Sequence, residues 1–406
     1  MELNRHIMAR IGFVACCKTK GGRPMPAASL YQSALFRKSL LAALDTSDKV
    51  YILSAKHGII SCNEIIEPYD VTLKTMHRSE REAWGLRVQP QLDFLLHARD
   101  TAVMYCGEEY FAPLRAHFER LNVTVEMPLG SLSLGARLQY LIKCNEEVTL
   151  RQTGAEFTQL LHLLWAAQGS GRRIDETNGR LPWPSRGVYF ILEAGRGIRG
   201  GRMPKVIRVG THAVSKGSKT SLWNRLSTHR GTAGGSGSHR SSIFRLHVGR
   251  AWARHTVSSE WPVTWAQGQT ASRGVRDAEQ ELEREVSKII GAMRVIWLDI
   301  ADDAGPTSER AYLERNAIGV LSRIGLLDAV GSPAWLGRRS ADWRIATSGL
   351  WNLNHVFVKP DAMFIARLMD AVERTIGRKV SVAINSKALA QEQQMEFFDE
   401  DDAVCQ

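Results

Sequence analysis

The sequence predicts an α/β protein. An N-terminal α/β domain with a largely parallel sheet precedes a second α/β domain whose small antiparallel sheet is flanked by helices. Three observations predict this. Over residues 10–128, short apolar runs alternate with stretches of helical period, as strands joined by crossover helices do. Between 187 and 210, the apolar runs GVYFIL and KVIRVG flank a segment too Gly-rich to hold regular structure, which reads as a hairpin. A length of 406 residues with 44% hydrophobic content leaves room for two or three domains with buried cores.

In chain order, residues 10–17 (RIGFVACC) read as a first strand, followed by a polar, Pro-containing loop through Ala28. Ser29–Leu44 places apolar residues at three- and four-residue steps behind a serine cap and reads as a helix. Lys49–Ala55 is a second strand. Ser79–Leu96 reads as a helix with Trp84, Leu92 and Leu95 inward. Thr101–Gly107 is a third strand, EEYFAPLRAHFERL a helix, and NVTVEMPL a fourth strand. Loops at the C-terminal ends of such strands carry the chemistry. Residues 1–145 are assigned to this domain.

Residues 146–185 read as a helical linker, with Phe157, Leu160, Leu161 and Leu164 inward and then a Gly/Pro-rich stretch without period. The second domain is assigned to 186–385. Its strands Gly187–Leu192 and Lys205–Gly210 lead to a short helix in Ser221–Gly231, on which Arg225, Leu226 and His229 share one face. A Gly/Ser loop carrying His239 and Arg240 reads either as a mobile insertion or as a phosphate-gripping loop. In the next charged helix, Glu279, Glu281, Glu283 and Glu285 read as a solvated face, and RVIWLDI follows as a strand. The acidic tail 386–406 reads as disordered.

A net charge of +11 favours a polyanionic partner, although a solvated basic surface gives the same number. The six cysteines (16, 17, 62, 106, 144 and 405) form no CxxC pair, which suits a reducing cytoplasm and not a zinc site. The N-terminus reads as a strand and not a signal peptide, and no apolar run approaches bilayer length, so no membrane partner is expected.

A tyrosine on one strand, a glycine ending the next, and an arginine beside a histidine on a helix make a polar site suited to phosphate. This stretch resembles the GIY-YIG nucleases over about residues 185–358. Gly187-Val188-Tyr189 stands where that family has its first tripeptide and Arg208-Val209-Gly210 where it has its second. Arg225 falls at the catalytic arginine, Glu314 in AYLERNAIGVL at the metal-binding glutamate, and the Asn352/Asn354 pair resembles the closing asparagine. The second tyrosine is absent, with Val209 read as occupying its place and His212 as a candidate replacement.

The resemblance implies a DNA endonuclease that hydrolyses phosphodiester bonds with one Mg²⁺ (or Mn²⁺) held by Glu314. Tyr189 would orient or deprotonate the attacking water, His229 would share the general-base role, and Arg225 would grip the phosphate. Arg208, Arg230, His239 and Arg240 are the expected DNA contacts. A homodimer on DNA would cut both strands. Taken singly, the same residues have plainer readings: Tyr189 in the core, Arg225 and Glu314 on a helix surface.

VACCKTK, YILSAKHGII…EPYD and VMYCGEEYFAPLR resemble the signature segments of the YaaA family over residues 8–140. With Tyr31 and Ser33, the first also resembles a motif of the archaeosine synthases, which act on a modified base. The implied base pocket comprises Cys16, Lys18, Lys20, Ser54, His57, Tyr69 and Tyr110. Gln394, Met395, Phe397 and Phe398 resemble the peptides that bind the bacterial sliding clamp, or form a turn that packs back on the body. Restriction of foreign or modified DNA and excision-type repair both suit this architecture. A DNA-binding protein with an inactive nuclease fold and a base-modifying or base-excising enzyme are the alternatives.

Overall fold

The computed structural model describes residues 8–194, 203–232, 234–256, 264–265, 267–268, 270–328 and 335–380. Its first seven strands are β1 (Arg10–Ala15), β2 (Met25–Pro26), β3 (Lys49–Ser54), β4 (Gly58–Ser61), β5 (Ile65–Ile66), β6 (Thr101–Tyr105) and β7 (Thr124–Glu126). The main sheet has the order β4-β3-β1-β6-β7. β1 runs parallel to β3 and β6, and β6 to β7, while β4 closes the edge as an antiparallel hairpin on β3. β2 and β5 pair separately.

Alternation along β1 fixes the two layers. Val14 faces a core with Phe36 and Leu40 of helix Ala34–Thr46; Ile11 and Phe13 face Trp84, Val88 and Leu92 of helix Arg78–Leu95. Because β3 and β6 flank β1 on opposite sides, the chain reverses its direction of travel across the sheet beside β1. Such a reversal leaves a crevice at the strand C-termini.

One boundary differs from the sequence reading. The helix expected from Ser29 is broken after Leu30 and restarts at Ala34, where Ser33 Oγ accepts the Phe36 N–H at 3.2 Å. The break is tertiary in origin. Tyr31 bridges to Lys20, and Gln32 donates its N–H to Thr19 O at 3.0 Å, stitching the loop after β1 onto residues 30–32.

The second sheet contains β8 (Arg172–Arg173), β9 (Gly187–Leu192), β10 (Val206–Gly210) and β11 (Arg294–Asp299), all antiparallel, in the order β10-β9-β11-β8. Val188, Phe190, Leu192, Val209, Ile296 and Leu298 face helices Glu147–Ala167, Glu309–Leu327 and Phe364–Ile376. Tyr189, Ile191 and Val295 face helices Leu222–Arg230, Ile243–Thr256 and Arg273–Gly291.

Residues 146–185 are therefore not a linker. The Phe157 ring lies 6.0 Å from that of Phe190 and 5.7 Å from that of Phe364, and β8 completes the sheet. The apolar stripe of that helix is buried against the sheet it precedes. The solvated face expected at residues 279–285 is half corrected. Glu281 is exposed, but Glu279 and Glu283 are buried beneath arginines brought from helix Ile243–Thr256 and the loop before it. Arg240 Nη2 meets Glu279 at 2.9 Å, and Arg245 Nε meets Glu283 at 2.9 Å.

The two sheets share a core in which Phe36 and Leu40 meet Leu326, Leu327 and Trp343. Arg323 forks onto Asp45 through two 2.7 Å contacts, and the Trp343 N–H reaches Asn63 Oδ1 at 3.0 Å. Among the described residues, no helix is long and apolar enough to cross a membrane. The tail peptide Gln394, Met395, Phe397 and Phe398 lies outside the described residues.

Candidate functional site

Tyr189 stands at the centre of the second sheet, opposite Gly210 on β10 and Trp297 on β11. A Cβ at Gly210 would collide with the Tyr189 hydroxyl, so the glycine ending β10 is the space the ring occupies. Tyr189 Oη lies 2.8 Å from His229 Nε2, and His229 Nδ1 lies 2.7 Å from Ser242 Oγ. Ser242 Oγ also accepts the Arg245 N–H at 3.3 Å. Helix Leu222–Arg230 delivers His229 because Ser221 Oγ caps its Asn224 N–H at 3.2 Å, and Arg225 sits one turn before the histidine.

Arg208 shares the sheet face of Tyr189. Its Nη1 donates to Trp351 O at 2.8 Å, its guanidinium lies 4.9 Å from the Phe244 ring centre, and its buried Nε has no hydrogen-bond partner. Val209 points to the opposite, apolar face. The expectation that Val209 occupies the second-tyrosine position is thus corrected by the pleat. The side chain of the second tripeptide that faces Tyr189's side is the Arg208 guanidinium.

Glu314 comes from helix Glu309–Leu327 and accepts the Thr211 N–H on Oε1 at 3.2 Å, just beyond β10. Burial raises its carboxyl above the ordinary range, against the opposing pull of Arg208, the Thr211 N–H and Arg225. Burial, then Arg208, Arg225 and Arg245, drives the His229 imidazole well below its ordinary value, so it is neutral. Arg208 and Arg225 act on both groups. Tyr189 and His229 are thus in contact, Arg208 shares their face of the sheet, and Glu314 reaches Thr211 just beyond β10.

His212 is placed otherwise. Its Nε2 accepts the Gly187 N–H at 3.2 Å and its Nδ1–H donates to Thr220 O at 2.7 Å. With both nitrogens committed to backbone and its pKa pushed down to about 4 by burial, it is a neutral brace and not a substitute for a tyrosine. Asn352 is likewise a brace: Nδ2 donates to Val209 O at 2.8 Å and Oδ1 accepts the Val209 N–H at 3.1 Å. Asn354 is exposed. Arg230, half-buried, donates to Asp175 O at 3.2 Å. His239 is buried, 3.0 Å from Glu283 and stacked 3.9 Å from Trp265, and Arg240 is spent on Glu279, so neither offers its charge to a backbone phosphate. Sequence reasoning missed Ser242 and Arg245. Their signal was a serine at a helix start and an arginine one turn inside it.

A second cluster sits at the crevice of the N-terminal sheet. Cys16, after β1, lies 3.1 Å from Tyr110 Oη, after β6. Tyr69 Oη lies 2.7 Å from both Tyr31 Oη and Ser54 Oγ, and Ser54 Oγ accepts the His57 N–H at 3.0 Å. Lys20 Nζ stands 4.3 Å from the Tyr69 ring centre, and the His57 ring meets it edge-on at 5.4 Å. Buried His57 Nε2 has no hydrogen-bond partner. Lys18 is exposed and contributes only its carbonyl, 3.4 Å from Lys20 Nζ. Burial, with Cys16 adding to it, raises the pKa of Tyr31, Tyr69 and Tyr110, so all three present neutral hydroxyls.

Among the described residues, no group of three or more His, Cys, Asp or Glu side chains could hold a metal. Glu314 is the carboxylate that the expected site supplies. A hard-oxygen ligand suits Mg²⁺ or Mn²⁺, which keep most of their waters, and does not suit a zinc centre.

Three buried histidines make stability pH-dependent. Burial drives His229 well down and, with nearby arginines, His212 and His247 to about 4. The unfolded chain takes up these protons near pH 6.5 while the native chain refuses them, so stability falls as pH falls from about 6.5 towards 4. The melting midpoint is expected to drop by at least about 3 °C between pH 7 and pH 5, above the carboxylate range. A midpoint level across that interval would contradict the assignment.

Residues 11–143 match a family of unknown function, DUF6884, and lend no support to the YaaA resemblance. No curated protein and no solved structure matches the chain. Residues 149–378 match the family described as GIY-YIG domain, a span that takes in the helix before the sheet, all four strands and Glu314. That match covers more than half of the chain, and the protein belongs to the GIY-YIG domain family.

Proposed function

We propose that the protein is a metal-dependent DNA endonuclease whose N-terminal domain reads a base. The observation that carries this reading is the 2.8 Å contact between Tyr189 and His229, with Arg208 and Arg225 acting on both His229 and Glu314. When Ser242 Oγ accepts the proton of His229 Nδ1, Nε2 accepts the Tyr189 hydroxyl proton. The phenol oxygen then takes a proton from the attacking water as its own passes to the imidazole. Water oxygen bonds to phosphorus, the P–O3′ bond breaks, and O3′ leaves with a proton from solvent. Glu314 would hold a divalent ion, which would supply charge neutralisation at the phosphate.

The two arginines also time the base. In the free protein burial, and after it the charges of Arg208, Arg225 and Arg245, hold the His229 imidazole well below its ordinary basicity. A phosphate between them cancels that field, so the imidazole gains basicity when substrate is bound.

At the other crevice, the neutral hydroxyls of Tyr31, Tyr69 and Tyr110 and the unpartnered His57 Nε2 suit the polar edge of a base. Restriction of modified DNA and excision-type repair both follow from that pairing of reader and cutter. A second reading, a DNA-binding protein with an inactive nuclease fold, is favoured by one observation: Tyr189 is wholly buried, with its hydroxyl already satisfied.

The test is plasmid cleavage in Mg²⁺ or Mn²⁺ on plain DNA and on DNA carrying modified bases. Cutting of at least one substrate is expected, with rates differing about 10-fold or more between them. Tyr69→Phe is expected to collapse that difference. Binding without cutting of any substrate would select the inactive reading.

A further inference from the structure

A groove of about 450 Å³ opens beside the tyrosine cluster, on the side of the N-terminal sheet where its parallel strands end. The segments that carry the tyrosines also wall it. Leu35 lies just past Tyr31, Lys74 just past Tyr69, and Glu109 directly before Tyr110. Arg81 enters from helix Arg78–Leu95, and Arg137 from helix Leu134–Cys144. The groove continues the crevice without sharing a side chain with the cluster.

Its charge is one-sided. Among the described residues, Lys74, Arg81 and Arg137 form no ion pair. Arg137 gives Nε to Leu132 O at 2.8 Å and Nη2 to Gly130 O at 3.1 Å, which fixes the guanidinium and leaves its charge unanswered. Arg81 lacks even carbonyl partners, and its buried Nε has no hydrogen-bond partner. A buried donor left unmade is costly, and a bound acceptor removes that cost. Several exposed arginines of the same domain are, by contrast, paired: Arg10 with Glu126, Arg78 with Glu82, Arg115 with Glu108 and Arg120 with Asp93. Glu109, the carboxylate of the lining, folds back over Gly107, where a Cβ would strike its oxygens.

Between the cations lie Leu35, Leu132 and Leu134, the last of them 63% exposed. Cations interleaved with apolar side chains match a nucleic-acid strand, in which phosphates alternate with sugars and base faces. We propose that this groove holds the sugar-phosphate backbone of the DNA strand whose base enters the tyrosine cluster, with Arg81 and Lys74 on its phosphates and the leucines against its sugars. The assignment rests on the reading of the N-terminal domain as a reader of bases. It adds the part that sets the strand's register, since phosphate contacts position and base contacts specify.

The test uses the full chain in EDTA, so that cleavage plays no part. Fluorescence anisotropy follows labelled twelve-nucleotide strands of deoxyadenylate, deoxycytidylate and thymidylate, with melting midpoints as the check on folding. Arg81→Gln and Lys74→Gln are each expected to weaken all three strands about fivefold and to lower the salt slope by about 0.7. Glu109→Gln, which removes a negative charge from the lining, is expected to tighten them about threefold. Preference among the three strands is a separate readout, which Tyr69→Phe changes and the groove variants do not. Strands that bind without preference yet still depend on Arg81 would uphold the groove and end the base reading. Affinities and salt slopes unchanged in folded Arg81→Gln and Lys74→Gln would overturn the groove, whatever the preference.

Discussion

Glu314→Gln is expected to lower metal-dependent DNA cleavage at least about a thousandfold while leaving DNA affinity and the melting midpoint near wild type. Glutamine keeps an oxygen for the Thr211 N–H that Glu314 Oε1 now accepts at 3.2 Å, so the tie between β10 and helix Glu309–Leu327 survives. What disappears is the anionic oxygen, a carboxylate on which both Arg208 and Arg225 act. The raised carboxyl adds a second signature. Because burial disfavours its ionised form, activity on the acid side is expected to fail above the ordinary carboxylate range. Wild-type cleavage by Glu314→Gln would reduce this residue to a structural role.

Tyr189→Phe and His229→Gln are each expected to cost about a hundredfold in cleavage rate, and the double variant hardly more than either alone. The reason is the single hydrogen bond they share, 2.8 Å long, continued by His229 Nδ1 to Ser242 at 2.7 Å. Groups that move one proton in series fail together, so their effects do not add. Both residues are fully buried, so substitution also costs stability, and rates are compared on the folded fraction. Independent, additive losses in rate would mean that the tyrosine and histidine do not act as a pair.

Much of the architecture was legible because it is local. Strands 187–192 and 206–210 and the helix after them follow from apolar runs, glycines and a serine cap, and they lie where the pattern puts them. The misreadings share a different origin, in contacts between distant parts of the chain. The Ser29 start failed because residues 19–21 pull residues 30–32 out of the helix. The linker reading failed because an apolar stripe does not say which sheet covers it. Glu279 and Glu283 looked like a charged surface, yet they fall in step with Leu282, Val286 and Ile290, the buried face of helix Arg273–Gly291. That stripe was visible; the arginines that neutralise it lie about forty positions upstream. The Val209 reading overlooked the two-residue pleat, which turns Val209 away and Arg208 towards the site.

Around Tyr189 the sequence named the residue types, and tertiary placement sorted them. His212, Asn352 and His239 have the chemistry of a site and are occupied in holding backbone or a buried carboxylate. Arg208 was read only as a DNA contact and emerges buried on the Tyr189 face, donating to Trp351 O at 2.8 Å, with its charge pulling down on the pKa of both His229 and Glu314.

The central claim is phosphodiester hydrolysis at this site, and end-group analysis of DNA incubated with the purified chain tests it most directly. In Mg²⁺ or Mn²⁺ the chain is predicted to leave 3′-hydroxyl and 5′-phosphate ends, and in EDTA to leave the DNA intact. DNA that is bound but remains uncut in both metals, on plain and modified substrates alike, would contradict the account.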